Sequence, residues 1–217
     1  LVDADGRVHA PAAFIEVAEA TGLILPLGRM ALRQSLEMIA THATEWRGLR
    51  LAVNASVPEL ADPHYVNDLL ALMAELQVPT TMLVVEVTEH TLLDLGPRAV
   101  DTLDNLRAAG VQIALDDFGT GYSSISALRG LPIDIIKIDR SFVSGLPTEP
   151  GDVSIVQAVH NLARDFGLTT VAEGVETPAQ LTMLQEMGVQ QIQGYLLGRP
   201  CPPSEFLDTH LSSVTKA

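Results

Sequence analysis

The chain has 217 residues, with 13 Lys+Arg against 27 Asp+Glu and a formal charge of −14. Hydrophobic residues make up 47% and charged ones 18%, a balance that excludes wholesale disorder and supplies ample material for a buried core. Its apolar runs are strand-length, far short of the roughly 18 residues of a membrane span, and without a Lys/Arg patch duplex nucleic acid is not expected as a partner.

Six short apolar runs read as strands in chain order: 49–54 (LRLAVN), 82–87 (MLVVEV), 111–116 (VQIALD), 134–139 (DIIKID), 168–173 (LTTVAE) and 189–194 (VQQIQG). Helical patterns lie between them. Val100, Leu103 and Leu106 form a narrow stripe in 98–109, and Ile155, Val156, Val159, Leu162, Ala163 and Phe166 a broader one in 155–166. Gly110, Gly167 and Gly188 each stand between a helix pattern and a strand, where a left-handed residue ends a helix. Thr177, Pro178 and Gln180 supply an N-cap, a first-turn proline and a capping-box partner.

This β/α alternation implies a parallel sheet in one domain over residues 1–217. An open doubly wound sheet would hold six strands, but the Gly-rich first turn that usually marks it is missing. A (β/α)8 barrel needs about 250 residues and eight strands. The shortfall, and a sequence that opens on Leu1 rather than Met, point to a barrel without its first segment.

Each strand ends in polar residues: Asn54; Glu86, with Glu89 after it; Asp116 and Asp117; Lys137 and Asp139; Glu173, with Glu176 after it; and Gln193. In a parallel barrel these ends converge on one face, and that face carries the chemistry. Glu86, Asp116 and Glu173 each follow an apolar run, where a lone carboxylate faces a large desolvation cost unless it is paired or metal-bound. Convergent carboxylates repel, and a hard cation such as Mg²⁺ or Mn²⁺ removes the conflict. The Asp116–Asp117 doublet suits a bridge between two ions that activate a water for attack on a phosphodiester, with Lys137 orienting that water or contacting a phosphate. Gly119 and Gly121 follow in the loop 116–124, which reads either as a tight turn capped by Ser123 or as a lid over the metals. The six histidines are scattered and read as mostly solvated. Cys201, the single cysteine, excludes an internal disulfide and has no evident catalytic partner.

In this order and spacing VNAS (53–56), VEVTE (85–89), DDFGTGYSS (116–124), KIDRSF (137–142), AEGVET (172–177) and QGY (193–195) closely resemble the EAL-type cyclic di-GMP phosphodiesterase domain, from about residue 11 to residue 200. The resemblance implies a modified (β/α)8 barrel with one antiparallel strand, whose first two strands and Glu-Ala-Leu segment would precede Leu1. It implies hydrolysis of cyclic di-GMP to linear pGpG with Mg²⁺ or Mn²⁺. Asn54, Glu86 and Asp116 look like ligands of one metal, and Asp116 and Asp117 of the other, with Glu173 at or near it. Lys137 resembles the lysine that positions the hydrolytic water. Gln193 and Glu176 resemble polar residues supporting the site, and Glu89 the glutamate that anchors the glycine loop near a homodimer contact. VNAS replaces the commoner VNLS, and Glu16 stands where many members have proline.

The expected function is therefore a cytoplasmic phosphodiesterase, the alternative being an inactive sensor that binds cyclic di-GMP. A GGDEF or sensory module, or a membrane tether, would lie upstream. Residues 1–217 alone are expected to hydrolyse weakly or not at all, because a barrel without two strands lacks a metal ligand and exposes sheet edges.

Overall fold

The computed structural model describes residues 5–42, 48–89, 91, 96–119, 128 and 130–206. After a short turn at Pro11–Ala13 come α1 (Ile15–Thr21), α2 (Ile24–Thr41), β1 (Leu51–Asn54), α3 (Val57–Ala61), α4 (Tyr65–Glu75), β2 (Leu83–Thr88), α5 (Pro97–Ala108) and β3 (Gln112–Phe118). They are followed by β4 (Ile135–Ile138), α6 (Arg140–Ser144), α7 (Pro150–Asp165), β5 (Thr169–Ala172), α8 (Pro178–Met187), β6 (Gln191–Ile192) and α9 (Pro203–Phe206). All six expected strands form. Among the described residues no helix is long and apolar enough to cross a membrane.

The strands pair in the order β1-β2-β3-β4-β5-β6, and every pairing is parallel. A doubly wound sheet reverses its strand order at a switch point; strict sequential order is the winding of a barrel. The described residues form a six-strand arc of the (β/α)8 type, and the antiparallel strand that the resemblance implies is not among them.

Two apolar layers flank this arc. The outer one joins strand residues such as Val85, Val87, Ile113, Leu115, Ile136 and Ile138 to the helices. In α5 it takes Leu103 and Leu106, both fully buried, each adding roughly 1.5–3 kcal/mol of burial. The inner layer is small: Val84, Ala114, Ile135 and Val171, one residue from each of four adjacent strands. The expected caps form. Gly110, Gly167 and Gly188 all have positive φ, and Thr177 with Gln180 makes the capping box of α8. Gln180 also donates to Val143 O at 3.1 Å, tying α8 to α6.

His160 departs from the solvated state expected of the histidines. It is buried on the inner side of α7, with Nδ1 3.1 Å from Thr170 Oγ1 in β5. It replaces Ile155 and Phe166, the exposed flanks of the expected stripe, on the face that α7 turns to the sheet.

Burial, and then the charge of Arg164, hold the His160 pKa below its ordinary value. Folded His160 stays neutral while the unfolded chain takes up a proton below about pH 6.5, so its contribution is complete above that pH and is lost as pH falls. Urea unfolding midpoints measured from pH 7.5 to 5 should therefore decline less steeply in His160→Gln than in the parent protein. Parallel declines would remove His160 as a source of acid sensitivity.

Candidate active site

The inner layer sets the address of every central site residue. Side chains alternate along a strand, so the residue two positions beyond an inward-facing one faces inward again. Two positions after Val84, Ala114, Ile135 and Val171 stand Glu86, Asp116, Lys137 and Glu173. An apolar tier is thus followed, towards the strand ends, by a charged one.

The charged tier closes on the Lys137 ammonium. Nζ lies 2.9 Å from Glu86 Oε1, 3.0 Å from Asp116 Oδ1 and 2.6 Å from Glu173 Oε1, so one cation on β4 gathers carboxylates from β2, β3 and the end of β5. Lys137 is only 5% exposed. Burial alone would lower its pKa, but hydrogen bonds to Glu173 and Glu86 and the charges of Glu86 and Asp116 raise it well above the usual lysine value. Glu173 is displaced upward, first by its own burial, against the pull of Lys137 and with further push from Asp116 and Glu86.

Asp117 joins this tier through an irregularity. In a regular strand it would face away from Asp116. Instead the β3–β4 register slips between Leu115 and Phe118, and Asp117 adopts φ +55°, a left-handed conformation that Asp tolerates better than most residues. The bulge turns both carboxylates to the same side. Carboxylate oxygens of Asp116, Asp117 and Glu173 all lie within 4.8 Å of one another, and the Asp117 N–H donates to Asp116 Oδ1 at 3.0 Å. Burial, with Asp116 and Asp139 adding, pushes the Asp117 carboxyl above its ordinary range.

The remaining expected residues occupy the surrounding rim. Asn54 ends β1 in register with Glu86 and is exposed, while the N–H of Ala55 donates to the Glu86 carbonyl at 2.9 Å. Glu89, just beyond β2 and 3% exposed, accepts the Gly119 N–H at 3.0 Å, gripping the chain directly after the doublet. Residues 120–124 of the glycine loop, with the expected Ser123 cap, lie outside the described residues. Gln193 follows β6 and is exposed; its N–H donates to Ala172 O at 2.8 Å and its carbonyl accepts from Val175 N at 3.0 Å. It borders a cavity of about 550 Å³ lined by Met38, Tyr195, Arg199 and Phe206, none of which belongs to the lysine cluster. Glu176 is exposed, and its backbone N–H donates to Gln180 Oε1 at 2.8 Å; the structure does not bring its carboxylate into the cluster.

Braces between the rim loops were not foreseen from the sequence. A side chain at Gly174 would overlap Arg140, and one at Gly194 would overlap the backbone of Val175. These close approaches hold the loops after β4, β5 and β6 against one another. Asp139 caps α6 through Ser141, and despite its partial burial these hydrogen bonds hold its carboxyl below the usual range. Ser56 and Glu59 form a second capping box whose S-x-x-E signal was available in the sequence.

Comparison with known proteins places this geometry. The EAL domain family matches residues 1–200. NbdA of Pseudomonas aeruginosa, a cyclic di-GMP phosphodiesterase, is 37% identical over 216 residues, covering 92% of this chain and 28% of that protein. Among solved structures, the PaMucR phosphodiesterase in complex with c-di-GMP is 36% identical with a TM-score of 0.84, covering 91% of this chain and 80% of that one. BlrP1 of Klebsiella pneumoniae, in a manganese/cy-diGMP complex, is 30% identical with a TM-score of 0.74, covering 82% and 45%. The chain spans about a quarter of the length of the curated relatives it matches. A family match over residues 1–200, on an arc of parallel strands that gathers the motif carboxylates at one rim, means that the chain belongs to the EAL domain family.

Proposed function

We propose that this chain contributes the catalytic face for divalent-metal-dependent hydrolysis of cyclic di-GMP to linear pGpG. The observation that carries the reading is the convergence of Glu86, Asp116 and Glu173 on Lys137, with Asp117 turned to the same side. NbdA's activity and the manganese and nucleotide of the BlrP1 complex support it.

The donor set fits a metal. Carboxylate oxygens from Asp116, Asp117 and Glu173 come within 4.8 Å of one another, a spacing that hard divalent cations can bridge. Lys137 offsets only one of the four negative charges. Asn54, Glu86 and Asp116 would hold one ion, and Asp116 and Asp117, with Glu173, the other. Bound there, such a pair supplies an acidified water and neutralises charge on the phosphodiester.

The protein's own contribution is positional. Among the carboxylates of Glu173, Glu86 and Asp116 the Lys137 pKa is raised above its usual value despite burial. It acts as a fixed donor that orients the attacking water and offsets charge on the phosphoryl oxygens. Glu89, through Gly119, holds the start of the glycine loop against this face.

Incubating the complete protein with cyclic di-GMP and Mn²⁺ should yield pGpG by chromatography, and EDTA should stop it. Asp116→Asn should lower kcat by roughly 10²-fold or more, the scale on which a single electrostatic stabiliser registers. Intact nucleotide after prolonged incubation, with binding unaffected by EDTA, would instead assign a sensor.

Stability gives a second test. Lys137→Met leaves three neighbouring carboxylates without their shared cation and should cost about 3–5 kcal/mol in EDTA. Mn²⁺ should then raise the melting temperature of the variant more than that of the parent, because the ion takes over the charge the ammonium supplied. Equal melting temperatures in EDTA would show that Lys137 does not hold the carboxylates together.

A further inference from the structure

Asn54 is an exposed member of the proposed ligand set, and its backbone is secured by the two residues after it. Ala55 donates its N–H to the Glu86 carbonyl at 2.9 Å. Ser56 donates its N–H to Glu59 Oε2 at 2.9 Å, and its hydroxyl donates to the same oxygen. Glu59 is 8% exposed, an unusual place for a carboxylate that forms no ion pair among the described residues. Its other oxygen fills the space over Gly28 of α2, where an added Cβ would overlap Oε1. The charge of Glu59, after burial, also pushes up the pKa of the partly buried Tyr65 phenol on α4. The carboxylate is therefore seated among α2, α3 and α4, with one oxygen committed to Ser56.

We propose that Glu59 is a positioning residue that acts through Ser56 to hold Asn54 in register with Glu86 for metal binding. The inference rests on the metal site proposed above. An ordinary helix cap would stabilise α3 and nothing more. Here the capped residue lies two positions from a ligand, and the seat over Gly28 fixes the carboxylate relative to α2 as well as to its own helix. Outer-shell partners of this kind typically set metal affinity by roughly 10–100-fold.

The test is Mn²⁺ titration calorimetry on the complete protein without nucleotide, alongside melting temperatures in EDTA. Glu59→Ala should weaken Mn²⁺ binding by about tenfold or more. Glu59→Gln keeps an oxygen for Ser56 and should stay within about threefold of the parent, as for a hydrogen bond weakened but not lost. Gly28→Ala leaves the carboxylate in place chemically but displaces it, and should behave like Glu59→Ala. A lowered melting temperature with unchanged Mn²⁺ affinity in Glu59→Ala and Gly28→Ala would reduce Glu59 to a helix cap and overturn the proposal. Asp116→Asn separates the two levels: if that variant still binds Mn²⁺ as the parent does, the metal site itself is wrong and the role of Glu59 falls with it.

Discussion

Four carboxylates share one small volume with a single ammonium. Each contact of Lys137, at 2.6–3.0 Å, amounts to roughly 6 kcal/mol at an effective dielectric near 20, before any desolvation cost. Those attractions explain how Glu86 and Glu173 can sit low in a barrel-like fold. They do not balance the charge. Burial and mutual repulsion leave Glu173 and Asp117 harder to ionise than free carboxyls, although Lys137 pulls both the other way. On the proposed function, a group of acids that remains under-neutralised after its resident cation is counted would take up further positive charge.

Elementary strand geometry produces this crowding. A parallel arc in sequential order places neighbouring strand ends side by side, and period-two alternation stacks one charged residue above each residue of the apolar inner tier. Small and branched apolar groups at Val84, Ala114, Ile135 and Val171 fill the interior below the rim and exclude water from beneath the charges. Lys137 reaches its partners only because β4 lies between β3 and β5. The outer face of the same strands is apolar and binds them to the helices, so the charged tier rests on a rigid base.

Much of this was legible in the sequence, and the reason is local. The six strands, the glycine helix ends and the Thr177–Gln180 capping box each depend on a few consecutive residues. The burial of Glu86 inside an apolar run announced a partner, and Lys137 is that partner. The features that escaped depend on contacts between distant segments or on a break in periodicity. Nothing in the spelling of 111–118 marks a bulge, so the doublet's shared direction required the β3–β4 register. His160 has a polar side chain on an apolar helix face, and only Thr170 ten residues on in β5 explains its place. Glu176, adjacent in the chain to site residues, is exposed at the rim, and its backbone N–H is tied to Gln180.

Repelling carboxylates have an easy escape, which is to swing outward into water. Side chains free to do so would gain solvation and rotamer entropy and would lose their affinity for a cation, because the repulsion a bound ion relieves would already have been dissipated. The rim is built to deny that escape. The bulge fixes Asp117 beside Asp116, Glu89 grips Gly119, Ser56 is tied to Glu59, and Gly174 and Gly194 bring neighbouring loops closer than any side chain would permit. None of these braces need touch a substrate. On the proposed function their common effect would be to keep the acids crowded in the absence of an ion, so that the repulsion held by the frame is relieved when positive charge arrives.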